Sequence, residues 1–424
     1  MKKYFSILAV VLLLMLSACS GSSSTSGKEK NSNGSVTLTY GIWDVNQAPA
    51  LKEIAKKFTE SHPNINVKVE VTPWDQYWTK LETAATGGSL PDIFWLNAAN
   101  IQKYAKGKVL LPLSDNIKKD NVDMTKFPKA LVDIYTVDGK NYGIPKDFDT
   151  IGLWYNKELF DKAGLKYPDQ NWTWDDLVAN AKKLTDKSKG VFGFASQLDP
   201  QQGWYNTVPQ AGGYILNADR TKSGYDDPAT QKGIKFLYDM INTYKVSPTL
   251  AQMTDTPVLS LFESGKVAMI FGGSWSQIEF AKNEYTKDKV DVTMLPKGEK
   301  RAVVIHGLAN VVAANSKHPK EAWEFEKFLG SEEANKIQAA TGTVIPAYEG
   351  TQDAWVKSNT KFNLQVFIDM TADAVPYPAS VETRKWQQIE TDTLTKAWSG
   401  KMSIDDALKE LKKKVDEVLA SEKK

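Results

Sequence analysis

Val36 to Trp43 alternates in polarity and reads as a strand. After Pro49, residues Leu51, Ile54, Ala55 and Phe58 recur at helical spacing. Ile65, Val67, Val69 and Val71 then alternate strictly, which marks a second strand. Tyr77, Leu81, Ala84 and Ala85 form another helical face, closed by Gly87-Gly88, and Pro91-Asp92-Ile93-Phe94-Trp95 starts a third strand. Strand–helix–strand–helix–strand in so short a stretch predicts a parallel sheet with crossover helices. Ligands of such sheets sit off the carboxyl ends of the strands. Trp43-Asp44 and Trp95-Leu96-Asn97 fall at those ends.

The pattern returns with other lengths further on. Ile151 to Tyr155, Val191 to Ala195 and Val267 to Phe271 read as strands, the last running into Gly272-Gly273-Ser274-Trp275. Trp174 to Leu184 and Gly233 to Tyr244 read as helices. Val303 to Ala313 is strand-like again, Lys320 to Leu329 helical, and the tail from Val381 mostly amphipathic helix.

The first residues follow a different plan. Lys2 and Lys3 precede an apolar run from Phe5 to Leu16 and then Leu16-Ser17-Ala18-Cys19. This is a basic n-region, a short h-region and a small-residue cleavage site. The run falls short of the roughly 20 residues that span a bilayer. Leu-Ser-Ala-Cys resembles a bacterial lipobox, which implies a signal peptide over residues 1–18 and an acylated Cys19. Residues 19–34 are almost purely Gly, Ser, Lys and Asn and read as a flexible tether, with a reach of about 20–24 Å. The chain is thus expected on the outer face of a bacterial cytoplasmic membrane, held by the lipid on Cys19.

At 424 residues the chain is long for one core, and two domains are expected. Cys19 is the single cysteine, so neither a disulfide nor a cysteine metal site is expected. The formal charge is +2, and loss of Lys2 and Lys3 with the signal peptide leaves a neutral chain. Neutrality gives no electrostatic case for nucleic acid. Arg220, Arg301 and Arg384 are the only arginines, which argues against an anionic ligand. The 13 tryptophans exceed what a core of this size requires and point to flat apolar surfaces in use.

Several motifs together resemble the extracellular solute-binding proteins (family 1) of bacterial carbohydrate ABC importers, in their lipoprotein form. They are Gly139-Lys140-Asn141-Tyr142-Gly143-Ile144-Pro145, then Leu153-Trp154-Tyr155-Asn156-Lys157-Glu158-Leu159-Phe160-Asp161-Lys162-Ala163-Gly164-Leu165, and Trp174-Asp175-Asp176-Leu177. Gly88-Ser89-Leu90-Pro91-Asp92-Ile93 and Phe262-Glu263-Ser264-Gly265-Lys266-Val267-Ala268-Met269 add to them, with Gly273-Ser274-Trp275. The resemblance implies an α/β fold of two lobes, each a mainly parallel sheet flanked by helices, joined by a hinge that the chain crosses three times. Residues 35–148 and 304–348 would form the first lobe, 149–303 and 349–424 the second. It also implies capture of a sugar between the lobes, delivery to permease subunits, and a monomer without cofactor, metal or catalysis.

A sugar offers hydroxyls on its rim and C–H on its face, which suits aromatic plates together with carboxylates or amides. Trp43, Asp44, Trp95 and Asn97 qualify as residues at strand ends. Asp147 and Asp149 lie on the first crossing, where a carboxylate reaches ligand or braces the hinge. By the resemblance Trp204, Trp275 and Trp386 face the cleft, and Arg384 shares a helix start with Trp386. His306 lies where the second crossing falls, although a lone histidine in an apolar strand is more often a core residue. Two rivals share some of these features. A glycoside hydrolase needs two carboxylates on opposite sides of one bond, and Asp44 with Asp147 is the available pair. A receptor for a polyol phosphate, a peptide or a chelated metal would share fold and location.

Overall fold

The computed structural model describes residues 34–422. The expected signal peptide, Cys19 and all but the end of the tether lie outside the described residues. Among the described residues no helix is long and apolar enough to cross a membrane.

The described residues from Val36 onward form one compact unit built on two main sheets. The first runs in the order Ile345–Pro346, Gly143–Asp149, Val303–Val312, Ile93–Asn97, Val36–Ile42, Ile65–Val71. The first three strands of the chain are parallel, as their crossover helices Ala48–Ser61 and Trp74–Gly87 require. Gly88 ends the second helix in the left-handed region (φ 67°), a position that favours glycine. Val303–Val312 then enters antiparallel to both Ile93–Asn97 and Gly143–Asp149. All ten of its residues are buried, which is why the sequence there shows an apolar run and no alternation.

The second sheet departs from the mainly parallel arrangement expected. Its order is Met269–Gly273, Ile151–Asn156, Val290–Thr293, antiparallel throughout. The two outer strands run the same way, linked through the helix Gln277–Lys282. Ile151–Asn156, fed straight from the first sheet past Thr150, is inserted between them in the opposite sense. The strand expected at Val191–Ala195 survives only as isolated bridges, from Val191 to Asp186, from Phe192 to Val267 and from Ala195 to Ile270. Gly193 breaks it: its N–H donates to Thr185 Oγ1 at 3.0 Å, and a Cβ there would lie 2.0 Å from the Ala181 carbonyl. The glycine exists so that helix Trp174–Leu184 can pack on bare backbone.

Both cores are aromatic. Trp154 meets Phe280, Phe362 and Phe367, and Gly272 leaves room for its ring. The helix Pro319–Leu329 covers the first sheet and buries Glu326, whose Oε1 accepts the Ile144 N–H at 3.2 Å. Its Oε2 is buried without a partner among the described residues. Burial pushes this carboxyl up to about 8. The folded chain therefore keeps a proton that the unfolded chain releases near 4.5, and stability falls as pH rises between those values. Glu326→Gln removes that loss. Urea unfolding is expected to show the variant gaining on the wild type from pH 4.5 to pH 8, and a pH-independent difference would refute the assignment.

Candidate functional site

A cavity of about 650 Å³ lies where elements of the two sheets approach each other, a size in the range of small-molecule sites. Its floor depends on a local irregularity. Leu308 pairs with Asp147 while Ala309 pairs with Pro145, so Lys146 is an extra, bulged residue on Gly143–Asp149. Adjacent strand residues ordinarily face opposite sides. The bulge lifts that restriction, and the Lys146 ammonium pairs with Asp147 Oδ2 although both side chains are buried. The freed N–H of Leu308 donates to Asp147 Oδ1 at 3.0 Å. Lys146 also donates to Gln47 Oε1 at 2.6 Å, and Gln47 Nε2 donates to Asp44 Oδ2 at 2.8 Å. Asp44 Oδ1 accepts the Asn46 N–H at 2.8 Å. The chain from Asp44 to Leu308 fixes the wall. Burial lowers the Lys146 ammonium and raises the Asp147 carboxyl, each opposed by its partner.

Next to this wall stands an aromatic cluster. Trp43 lines the cavity with Trp74, Tyr77, Trp78 and Trp95 around it at centroid distances of 5.2, 5.0, 5.5 and 4.9 Å. Trp74 also lines it and is 45% exposed. From the second sheet, Trp275 reaches the cavity on the turn after Met269–Gly273 and is 37% exposed. A Cβ on Gly273 would lie 2.1 Å from its ring, so the glycine makes its pose possible.

Polar groups complete the lining. Asp149 Oδ1 accepts Gln201 Nε2 at 2.6 Å, and Oδ2 lies 3.7 Å from His306 Nδ1. The His306 ring packs on Tyr377 at 4.5 Å. Asn97 Oδ1 accepts from Asn100 at 2.7 Å. Asp199, raised by burial, accepts the Gln202 N–H at 2.7 Å. Glu279 stands at the rim, raised by burial and by Glu263 and Asp44. No lysine or arginine is among the described residues that line the cavity, and none of the acids is grouped with others so as to hold a metal ion. The site can stack flat apolar faces and accept from hydroxyls; it has no free cation for an anion.

The family model of the bacterial extracellular solute-binding proteins matches residues 44–336. The chain belongs to this family. It is 28% identical over 352 residues to the arabinooligosaccharide-binding protein of Bacillus subtilis, covering 78% of this chain and 77% of that one. Among solved structures, an ABC substrate-binding protein from Listeria monocytogenes in complex with cycloalternan superposes with a TM-score of 0.85 at 28% identity, over 91% of this chain and 99% of that one. A solute-binding protein from Thermotoga lettingae bound with α-D-tagatose gives 0.80 at 26%, over 91% and 100%. Two α/β lobes joined by a hinge are the architecture of the family and of this chain.

Trp43, Asp44, Asn97, Asp147, Asp149, Trp275 and His306 line the cavity of this solute-binding protein. Four expected residues do not. Trp95 is fully buried beneath Lys146, which lies 4.4 Å from its ring, and donates to Tyr40 Oη at 2.7 Å. Trp204 begins a helix, Trp204–Gln210, buried along its whole length, and its Nε1 donates to Glu390 at 3.2 Å. Its loop neighbours Asp199, Gln201 and Gln202 take the cavity position instead. Trp386 is buried and donates to Ser380 Oγ at 2.8 Å. Arg384 is exposed, with its guanidinium 5.3 Å from the Trp78 ring centroid. Trp74, Gln47 and Glu279 line the cavity without having been singled out. Trp74 had a usable signal, because it follows the carboxyl end of Ile65–Val71 as Trp43 follows that of Val36–Ile42.

Removing the buried cation leaves Asp147 uncompensated. Lys146→Met is expected to cost about 3–5 kcal/mol of stability by urea unfolding, and a loss within experimental error would show that the pair is dispensable.

Proposed function

We propose that the protein captures a sugar or oligosaccharide in this cavity and hands it to the permease of an ABC importer. The observation that carries the reading is the pairing of Trp43 and Trp74, from the first sheet, with Trp275 from the second, around a rim of carboxylates and amides without a lining cation. Relatives named for arabinooligosaccharide, cycloalternan and tagatose agree with it. A polyol phosphate is disfavoured because no lysine or arginine lines the cavity to pair with it. The hydrolase reading fares no better: Asp44 and Asp147 are joined on one wall through Gln47 and Lys146, whereas hydrolysis needs carboxylates on both sides of a bond.

In this reading residues 35–148 and 304–348 form one lobe and 149–303 with 349–424 the other. Hinge closure brings Trp275 onto a ligand already stacked on Trp43 and Trp74. The lipid on Cys19 holds the receptor as a monomer at the outer face of the cytoplasmic membrane. Micromolar affinity corresponds to about −8 kcal/mol. Several plates and charge-assisted hydrogen bonds of about 1.5–3 kcal/mol each supply it after the ordering costs.

Thermal melting of the mature chain against mono- and oligosaccharides, cycloalternan, tagatose and arabino-oligosaccharides among them, is the direct test. A ligand that binds the folded state raises the melting temperature; no shift with any sugar would refute the reading. For a sugar that binds, Trp275→Ala is expected to weaken affinity at least about tenfold, roughly 1.4 kcal/mol, with the unliganded melting temperature little changed. Gly273→Ala should act in the same direction while keeping the indole. Unchanged affinity in both would remove Trp275 from the site.

A further inference from the structure

Arg384 is the one expected ligand residue that the structure places at a junction instead. It lies on the helix Thr383–Trp398, whose inner face is fixed by Glu390. That carboxylate accepts from Trp204 at 3.2 Å, from Tyr205 at 2.6 Å and from Tyr225, all residues of the second lobe as assigned above. The same helix packs against Ala98–Lys106 beside the first sheet, and Arg384, in its first turn, covers Trp78. Trp78 in turn packs on Trp43, which lines the cavity. Beneath the contact, Trp78 Nε1 and Tyr104 Oη are both buried without a hydrogen-bond partner among the described residues. The guanidinium is near enough to act electrostatically on that tyrosine.

We infer that the Arg384–Trp78 contact is a balanced latch between the lobes, which sets how much of the protein is closed before any ligand arrives. The cation over the indole favours closure. The two unpaired donors oppose it, because parting the helices returns them to water. The latch rests on the two-lobe reading, and its sign is fixed separately at each partner. Arg384→Gln removes the attraction, whereas Tyr104→Phe removes an unpaired donor and leaves both the guanidinium and the Trp78 ring in place.

The test is an interlobe distance measured without ligand. Spin labels on Lys68→Cys and Lys222→Cys, both exposed, in the mature chain carrying Cys19→Ser, report it by pulsed electron resonance. Arg384→Gln is expected to raise the open-to-closed ratio about two- to fivefold, and Tyr104→Phe to lower it. The latch is overturned if Arg384→Gln leaves the distribution unchanged, or if Tyr104→Phe does not move it the opposite way. Because no sugar enters the measurement, a protein that bound none would refute the receptor reading and leave this result standing.

Discussion

The bulge at Lys146 is the constraint on which the site depends. Two strands, Gly143–Asp149 and Val303–Val312, lie side by side in one sheet, and a regular ladder between them would aim Lys146 and Asp147 to opposite faces. One extra residue places the ammonium and the carboxylate together and gives the orphaned Leu308 N–H a side-chain acceptor. Everything polar on that wall then follows in order: Gln47 is oriented by Lys146, and Asp44 by Gln47 and its own turn. An isolated buried charge would be intolerable here. Paired, it lets a cavity rich in carboxylates keep its cation out of reach of the ligand.

The arginine shortage explains other features of the interior. Apart from Asp147, the buried carboxylates Glu390 and Glu326 are held by neutral donors: Glu390 by two tyrosines and a tryptophan, Glu326 by one backbone N–H. Neutral donors compensate a buried charge only in part, so both carboxyls are pushed up, to about 7 and about 8. Such groups bring little net charge into the core and do not need the guanidinium forks that the sequence lacks.

Periodicity made most of the elements legible. Ile65–Val71 and Trp174–Leu184 match their expected bounds because each has one face in a core and one in water, so burial prints its period on the sequence. Val191–Ala195 carried the same apolar signal and is not a strand, since the signal cannot see helix backbone pressed against Gly193. The site was legible where position at a strand end sufficed, as for Trp43, Asp44 and Asn97. It was not legible for Trp95, Trp204 and Trp386. In Ile93–Asn97 all five residues are buried, so alternation carries no information about which face meets the cavity. Trp95, Trp204 and Trp386 have the composition of plates and the burial of core, each with its N–H matched inside.

Those buried tryptophans nevertheless bear on the cavity. A plate is useful only if it is already in place when the ligand arrives, because ordering a large side chain at that moment subtracts from affinity. Trp43 is held edge-on by Trp74, Tyr77 and Trp95, and Trp95 is in turn fixed by the Tyr40 hydroxyl and by Lys146 above its face. Tyr77 adds a hydrogen bond to the Trp95 carbonyl at 2.9 Å. The surplus of aromatic residues is therefore largely scaffolding: several rings packed in the core hold rigid the few that meet solvent in the cavity. A substitution at Trp95 would act on the cavity wall through Trp43 and through Lys146 together, and the aromatic and ionic halves of the wall form one unit.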